Sequence, residues 1–190
     1  MHAEVLKRAS ADDAAATASV RTIQQEAERL ADMLAAAMQV IALERGDTTR
    51  ISLRSVVEAA CAEVGVKDLV VADTPWPDVT CDPRLLAVAV AHLIRNAVEA
   101  TEAAKAPTPP EVSVDKSGAM VGLVVRDYGP GLRSTNPKVL IRLRASSKPG
   151  HRGLGLVIVE RIARLHGGSV RFDTPGTGTR VTLLLPSAPG

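Results

Sequence analysis

The chain has 190 residues, 46% of them apolar, and a formal net charge of +2. That length can bury the core of one domain plus an appendage, while the charge is too small to argue for nucleic acid or a membrane surface as partner. With one Trp, one Tyr and one Phe, the core must be built from Val, Leu, Ile and Ala.

Residues 1–16 are polar and Ala-rich, with a turn expected at Ser10-Ala-Asp-Asp13. The first residues lack the apolar segment of a signal peptide. From about Thr17 to Glu44, Val20, Ile23, Ala27, Leu30, Leu34, Ala37 and Ile41 recur at alternating spacings of three and four. That is the seam of a coiled coil or helical bundle, although a lone helix packing on its own core shows the same pattern. Arg45-Gly46-Asp47 stops the helix. The run Leu30–Leu43 contains Asp32 and Gln39 and is too short to span a bilayer, so a cytoplasmic chain without a membrane segment is expected. Cys61 and Cys81 lack metal-type spacing and read as small buried hydrophobes of a reducing compartment.

Arg50–Leu53 suggests a short strand, and Ser52 or Ser55 caps a helix running to about Val64. Lys67–Ala72 reads as a strand, followed by the Pro75-Trp-Pro77 turn and a short strand around Val79–Cys81. Asp82 as cap and Pro83 in the first helical position start the central helix. It runs to about Lys105, ahead of Pro107-Thr-Pro-Pro110, which cannot continue it. Leu85, Leu86, Val90, Leu93, Ile94 and Ala97 make its buried side, while His92, Asn96 and Glu99 stack on another face.

Glu111–Lys116 and Met120–Arg126 form a hairpin around Ser117-Gly118. Residues 129–152 are a long connection, and loops of that length are usually functional or mobile. A helix follows from about Gly155 to Leu165 and stops at His166-Gly167-Gly168. Ser169–Asp173 and Thr179–Leu185 close the chain as a second hairpin. These elements imply an α+β sandwich, with helices on one face of a mixed, largely antiparallel sheet.

Four stretches carry the chemistry. Asp127-Tyr-Gly129-Pro-Gly131 follows a buried strand, where an ionised carboxylate can accept a ligand N–H; an ordinary glycine-rich turn has the same composition. Gly153-Leu154-Gly155-Leu156 opens a helix whose first amides and dipole would face an anion. Upstream of it lie Arg133, Lys138, Arg142, Arg144, Lys148 and Arg152 with no acidic residue between, either a solvated basic loop or a lid over polyphosphate. Gly176-Thr-Gly178-Thr179 precedes the last strand.

Preceded by His92-Leu-Ile-Arg-Asn96-Ala-Val-Glu99, and in chain order, the Asp127, Gly153 and Gly176 stretches resemble the N, G1, G2 and terminal Gly-Thr elements of the GHKL ATPases. Within that superfamily, residues 50–186 look like the catalytic and ATP-binding domain of a sensor histidine kinase. The resemblance implies a Bergerat-type two-layer sandwich preceded by a long bundle helix. Residues 1–46 would be part of the dimerisation hairpin, with a homodimer formed through residues 17–45.

By the same resemblance, Asn96 would ligate Mg2+ and Asp127 would take the adenine amine. Gly129 and Gly131 would let the backbone pass close to the base. Lys148, Arg152, Gly153, Leu154, Gly155 and Leu156 would face the phosphates of ATP, and Thr179 would lie near the adenine. His92 occupies a position that carries Asn, His or, in hydrolysing branches, Glu; here it contacts phosphate or is structural. Glu99 is more simply a solvated helix residue.

Two departures from the family pattern stand out. Residues 139–148 hold none of the aromatic residues that anchor most histidine-kinase lids. No phosphoacceptor box is recognisable, because His2 lacks the following acid and His151 and His166 belong to the lid and to a helix stop. The expected activity is phosphoryl transfer from Mg-ATP to a histidine on a partner segment or chain, with a response regulator downstream. The alternatives are a non-catalytic dimeric module of the same fold and an anti-sigma-type serine kinase.

Overall fold

The computed structural model describes residues 18–27, 30, 31, 34, 38, 40, 42–66, 68–132 and 154–188. The expected turn at Ser10–Asp13, the seam positions Ala37 and Ile41, and the basic stretch 133–152 lie outside them. The chain divides into two units, Met1–Gln39 and Val40–Gly190.

In the first unit, residues 18–27 are helical, as are Leu30, Ala31, Leu34 and Met38. Val20, Ile23, Leu30, Leu34 and Met38 are each more than half exposed. The apolar seam read from the sequence is therefore open on this unit.

The second unit runs β1 (Thr49–Ser52), α1 (Leu53–Val64), β2 (Val70–Val71), β3 (Asp78–Cys81) and α2 (Pro83–Ala103). It continues with β4 (Glu111–Ser117), β5 (Met120–Arg126), α3 (Gly155–Leu165), β6 (Ser169–Asp173) and β7 (Arg180–Pro186). β1 and β3 form an antiparallel ribbon, and the main sheet has the order β2-β4-β5-β7-β6. Only its β2–β4 pair is parallel. The α+β sandwich is as the alternation of residues implied.

Register explains how so few aromatics suffice. Val114, Leu123, Leu183 and Val170 line up across four strands, and so do Val112, Val125, Val181 and Phe172. With a side-chain period of two, both rows point to one face. They join Leu53, Val56, Leu86, Val90, Ile94, Val159 and Ile162 of the three helices in a single core. Each fully buried aliphatic side chain contributes roughly 1.5–3 kcal/mol. Cys81 belongs to that core, where burial, with Asp82 adding, pushes its thiol up to about 11. Both cysteines are free.

The expected strand Lys67–Ala72 shortens to Val70–Val71. Its parallel neighbour begins at Glu111, just after Pro109-Pro110, and prolines supply no N–H to extend the ladder upstream. Downstream, the Trp76 indole N–H donates to the Ala72 carbonyl and takes that acceptor from the sheet. Ser52 is the α1 cap, its hydroxyl oxygen accepting from the Arg54 amide at 3.2 Å.

The helix pair α2–α3 positions the site. Asp82 Oδ1 accepts from the Arg84 and Leu85 amides at 3.0 and 3.4 Å, with Pro83 in the first turn. Burial alone would raise the Asp82 pKa; the amides of Gly46, Leu85 and Arg84, with the Arg84 charge, outweigh it and hold the carboxyl below its ordinary value. At the other end of α3, a Cβ on Gly155 would lie 3.4 Å from His92 Nδ1. His166, just past α3, reaches the Asp82 amide. The two helices are thus antiparallel and pinned at both ends.

Candidate nucleotide site

Asp127 follows β5 at the edge of the core and is 8% exposed. Its amide donates to the Thr179 carbonyl at 2.9 Å. Its Oδ1 accepts from the Thr179 amide at 3.0 Å and from the Gly129 amide at 2.9 Å. A carboxylate this buried is tolerable only with such charge-assisted bonds. Among the described residues Oδ2 takes no hydrogen bond, so one oxygen is fixed by the fold and the other is left to accept from a ligand.

The close approach of the two loops depends on glycine. Gly178 has φ +76°, and a Cβ there would run into the Asp127 carbonyl. Gly131 has φ +77°, with its vacant Cβ position 3.2 Å from the Gly178 carbonyl oxygen. Gly129 is required to be small by the fold itself. Its vacant Cβ position is 2.8 Å from Ala100 Cβ and 2.9 Å from Ala100 O, so the residue it would collide with belongs to α2. The Tyr128 amide, donating to Thr101 Oγ1 at 3.2 Å, fastens the same turn to the helix.

One turn back along α2 from Ala100 is Asn96, exposed, and one turn further His92, half-buried. Burial and then the Arg95 charge lower the His92 pKa against the opposing pull of Glu63. Gly155 sits over both side chains, its vacant Cβ position 3.8 Å from Asn96 Nδ2. Leu154, buried at 3% exposure, occupies the cap of α3 and makes no side-chain cap bond. The first-turn amides are therefore not claimed by a cap, the condition under which a helix start can receive an anion. Leu156 packs on the core edge. Glu99 is half-buried, not a solvated helix residue.

Of the residues picked from sequence, Asp127, Gly129, Gly131 and Thr179 converge at one end of this strip, and His92, Asn96, Leu154, Gly155 and Leu156 at the other. Helix α2 joins the two ends. Lys148, Arg152 and Gly153 lie outside the described residues. Sequence reading did not pick Ala100 and Thr101, which hold the acidic turn in place. Their only signal was position, one turn beyond Asn96.

Residues 81–189 match the family described as histidine kinase-, DNA gyrase B-, and HSP90-like ATPase. The chain belongs to that family. The sensor-like histidine kinase SenX3 of Mycolicibacterium smegmatis is 30% identical over 187 residues, covering 86% of this chain and 46% of that protein. The signal transduction histidine-protein kinase AfsQ2 of Streptomyces coelicolor is 33% identical over 183 residues, covering 90% of this chain and 33% of that protein. The chain thus spans less than half the length of these curated relatives. The ATP binding domain of PrrB from Mycobacterium tuberculosis matches with a TM-score of 0.59 at 23% identity, covering 76% of this chain and 100% of that chain. The fold of the second unit is accordingly that of a histidine-kinase ATP-binding domain. Among the described residues, no helix of this family member is long and apolar enough to cross a membrane.

Proposed function

We propose that the chain is the ATP-binding catalytic part of a two-component histidine kinase. It binds Mg-ATP in the strip between Asp127 and Gly155 and transfers the γ-phosphoryl group to a histidine on a partner segment or chain. The observation that carries this reading is Asp127: two backbone amides fix its Oδ1, while among the described residues its Oδ2 accepts no hydrogen bond. An acceptor-only oxygen held rigidly at the edge of an aliphatic core suits the exocyclic amine of adenine.

In this reading α2 sets the spacing between base and phosphates, since Thr101 and Ala100 hold the base end and Asn96 and His92 the phosphate end. The α3 amides and dipole receive phosphate, and the sequence offers Lys148, Arg152 and Gly153 as further phosphate contacts. Among the described residues, no group of three His, Cys, Asp or Glu side chains could hold a metal ion by itself. A single exposed amide oxygen fits an ion that arrives with the nucleotide. Mg2+ would be held by Asn96 together with phosphate oxygens and water, and would neutralise charge on the transferring group. The Glu that serves as general base in the hydrolysing branches is absent here, its position being taken by His92. That substitution favours residues that position the phosphoryl group for an acceptor over a gyrase-like hydrolase.

The open seam of Val20, Ile23, Leu30 and Leu34 supports a homodimer through residues 17–45, and a response regulator is the expected recipient downstream. The chain would work in the cytoplasm. Incubation with γ-labelled ATP and a separately supplied acceptor hairpin tests the reading. Acid-labile label on histidine is expected, and Asn96→Ala should abolish it together with magnesium-dependent ATP binding. Acid-stable label on serine would point to the serine-kinase alternative, and no label despite ATP binding to a non-catalytic module.

A further inference from the structure

The backbone just after the N-terminal helical segment is fastened to the base of the α2–α3 pair. Val40 is buried at 6% exposure, and Leu43 packs against the core. Arg161 Nη2, from α3, donates to the Leu43 carbonyl at 3.1 Å. The Gly46 amide donates to Asp82 Oδ2 at 3.0 Å. A Cβ on Gly46 would lie 2.9 Å from both Asp82 Oδ2 and Arg84 Nη2. The exposed Arg84 can swing aside, but Asp82 cannot. Its Oδ1 is held by two helix amides, its own amide by His166, and it is 1% exposed.

Neither anchor is explained by local structure. A helix cap needs one carboxylate oxygen, yet the second oxygen of Asp82 binds a residue 36 positions upstream. Among the described residues, the buried Arg161 Nε has no partner, a cost that a shorter or apolar side chain would avoid. What these two groups share is the 43–46 segment between them.

Their position matters. Asp82 opens α2 ten residues before His92, and Arg161 lies six residues after Gly155, distances of about 15 and 9 Å along their helices. The strap and the nucleotide strip are thus at opposite ends of one antiparallel helix pair. A ligand that draws the start of α3 toward Asn96 must also act on the end of α3, where His166 and Arg161 hold α2 and the strap.

We propose that Asp82 and Arg161 are positioning residues that couple docking of the 43–46 strap to occupancy of the nucleotide strip. This rests on the nucleotide reading above. Bound nucleotide favours the docked strap, and by reciprocity an undocked strap weakens nucleotide binding by the same factor. Nucleotide occupancy thereby controls the chain through which the N-terminal helical segment is joined to the catalytic unit.

The test uses hydrogen exchange of the full chain with and without Mg-ADP, alongside Mg-ADP titration. In the wild type, Mg-ADP should slow exchange across residues 43–48 by about 5-fold or more. Gly46→Ala, which preserves the Asp82 cap, and Arg161→Met should remove that slowing and weaken Mg-ADP binding by about 5-fold. Exchange in β5 and β7 should be unchanged in both variants. Arg161→Lys, whose ammonium can still donate to the Leu43 carbonyl, should recover most of both effects. Unchanged strap exchange in wild type that binds Mg-ADP would overturn the coupling alone, as would wild-type affinity in both strap variants. Failure of the wild type to bind Mg-ADP would instead overturn the nucleotide reading, and the coupling with it.

Discussion

His166 Nε2 accepts a hydrogen bond from the Asp82 amide at 3.0 Å, and its Nδ1 lies 2.8 Å from the Ile162 carbonyl. An amide can only donate, so the ring carries its proton on Nδ1 and is neutral in this arrangement. The histidine of a helix stop therefore closes α3 and satisfies the start of α2, 84 residues away. His166→Ala would leave a buried amide and a buried carbonyl without that partner. A loss of about 1–3 kcal/mol is expected, read as a lowered denaturation midpoint with an unchanged slope. An unaltered midpoint would show that water replaces the ring.

In the proposed reading Asp127 has two separable duties, and one substitution divides them. Asp127→Asn keeps an oxygen for the Thr179 and Gly129 amides but presents an amide N–H2 to the ligand. Its melting temperature should stay within a few degrees of wild type, while ATP affinity falls at least tenfold, about 1.4 kcal/mol. Asp127→Ala should lose ATP binding and also about 1–3 kcal/mol of stability, because both amides are orphaned. Calorimetric titration paired with thermal unfolding checks both. Equal ATP affinity in Asp127→Asn would remove the carboxylate from the site.

Much of this arrangement is legible in the chain because local signals agree. At α2 the Asp82 cap, the Pro83 ring, the apolar spacing and the Pro107 breaker all set the same boundaries. The hairpin at Ser117-Gly118 is equally local, and Gly118 has φ +59°. What the spacing does not carry is the identity of distant partners. The His166-Gly167-Gly168 motif marks a helix stop without indicating that its ring reaches Asp82. The glycines of Asp127-Tyr-Gly129-Pro-Gly131 do not reveal that Gly129 lies against Ala100, on a helix 29 residues earlier in sequence. β2 shortens because its pairing is limited by the prolines that precede β4, which no window around Lys67–Ala72 contains. The order of four motifs brought Asp127 and Thr179 together on paper, but only the fold shows that they bond directly over 52 residues.

Two glycines of the site should respond in opposite ways to the same added methyl. At Gly155 the new Cβ meets His92 and Asn96 at ordinary contact distance, 3.4 Å and beyond. Ala is also the better helix former by up to about 1 kcal/mol. Gly155→Ala should fold at least as well as wild type yet bind ATP more weakly, since the methyl stands over Asn96, where the proposed reading puts phosphate and its ion. At Gly178 the Cβ would overlap the Asp127 carbonyl at positive φ. Gly178→Ala should therefore lose more than about 1–3 kcal/mol from backbone strain alone. Unfolding curves and ATP titrations of the pair distinguish a binding glycine from a folding glycine, and the reverse ranking would refute both assignments.

The pH dependence of stability offers an independent reading of His92. Burial, with Arg95 adding and Glu63 opposing, lowers its pKa from 6.5 in the folded chain. The unfolded chain therefore takes up a proton first as the solution is acidified, and stability falls wherever that difference in bound protons exists. The contribution is fully present above about pH 6.5 and is lost progressively as pH drops through the folded value. Asp82, also depressed when folded, loses its contribution as pH falls around and below its ordinary value of 3.8, lower than the pH at which the His92 window opens. Replacing the ring by a neutral amide in His92→Gln should flatten the stability profile between about pH 7 and pH 5 and leave the steeper acid limb untouched. Denaturant titrations at half-unit pH steps on both proteins provide the comparison. An identical slope in the variant would mean that the ring titrates alike in the folded and unfolded chains, and that neither the core nor Arg95 holds it neutral beside Asn96.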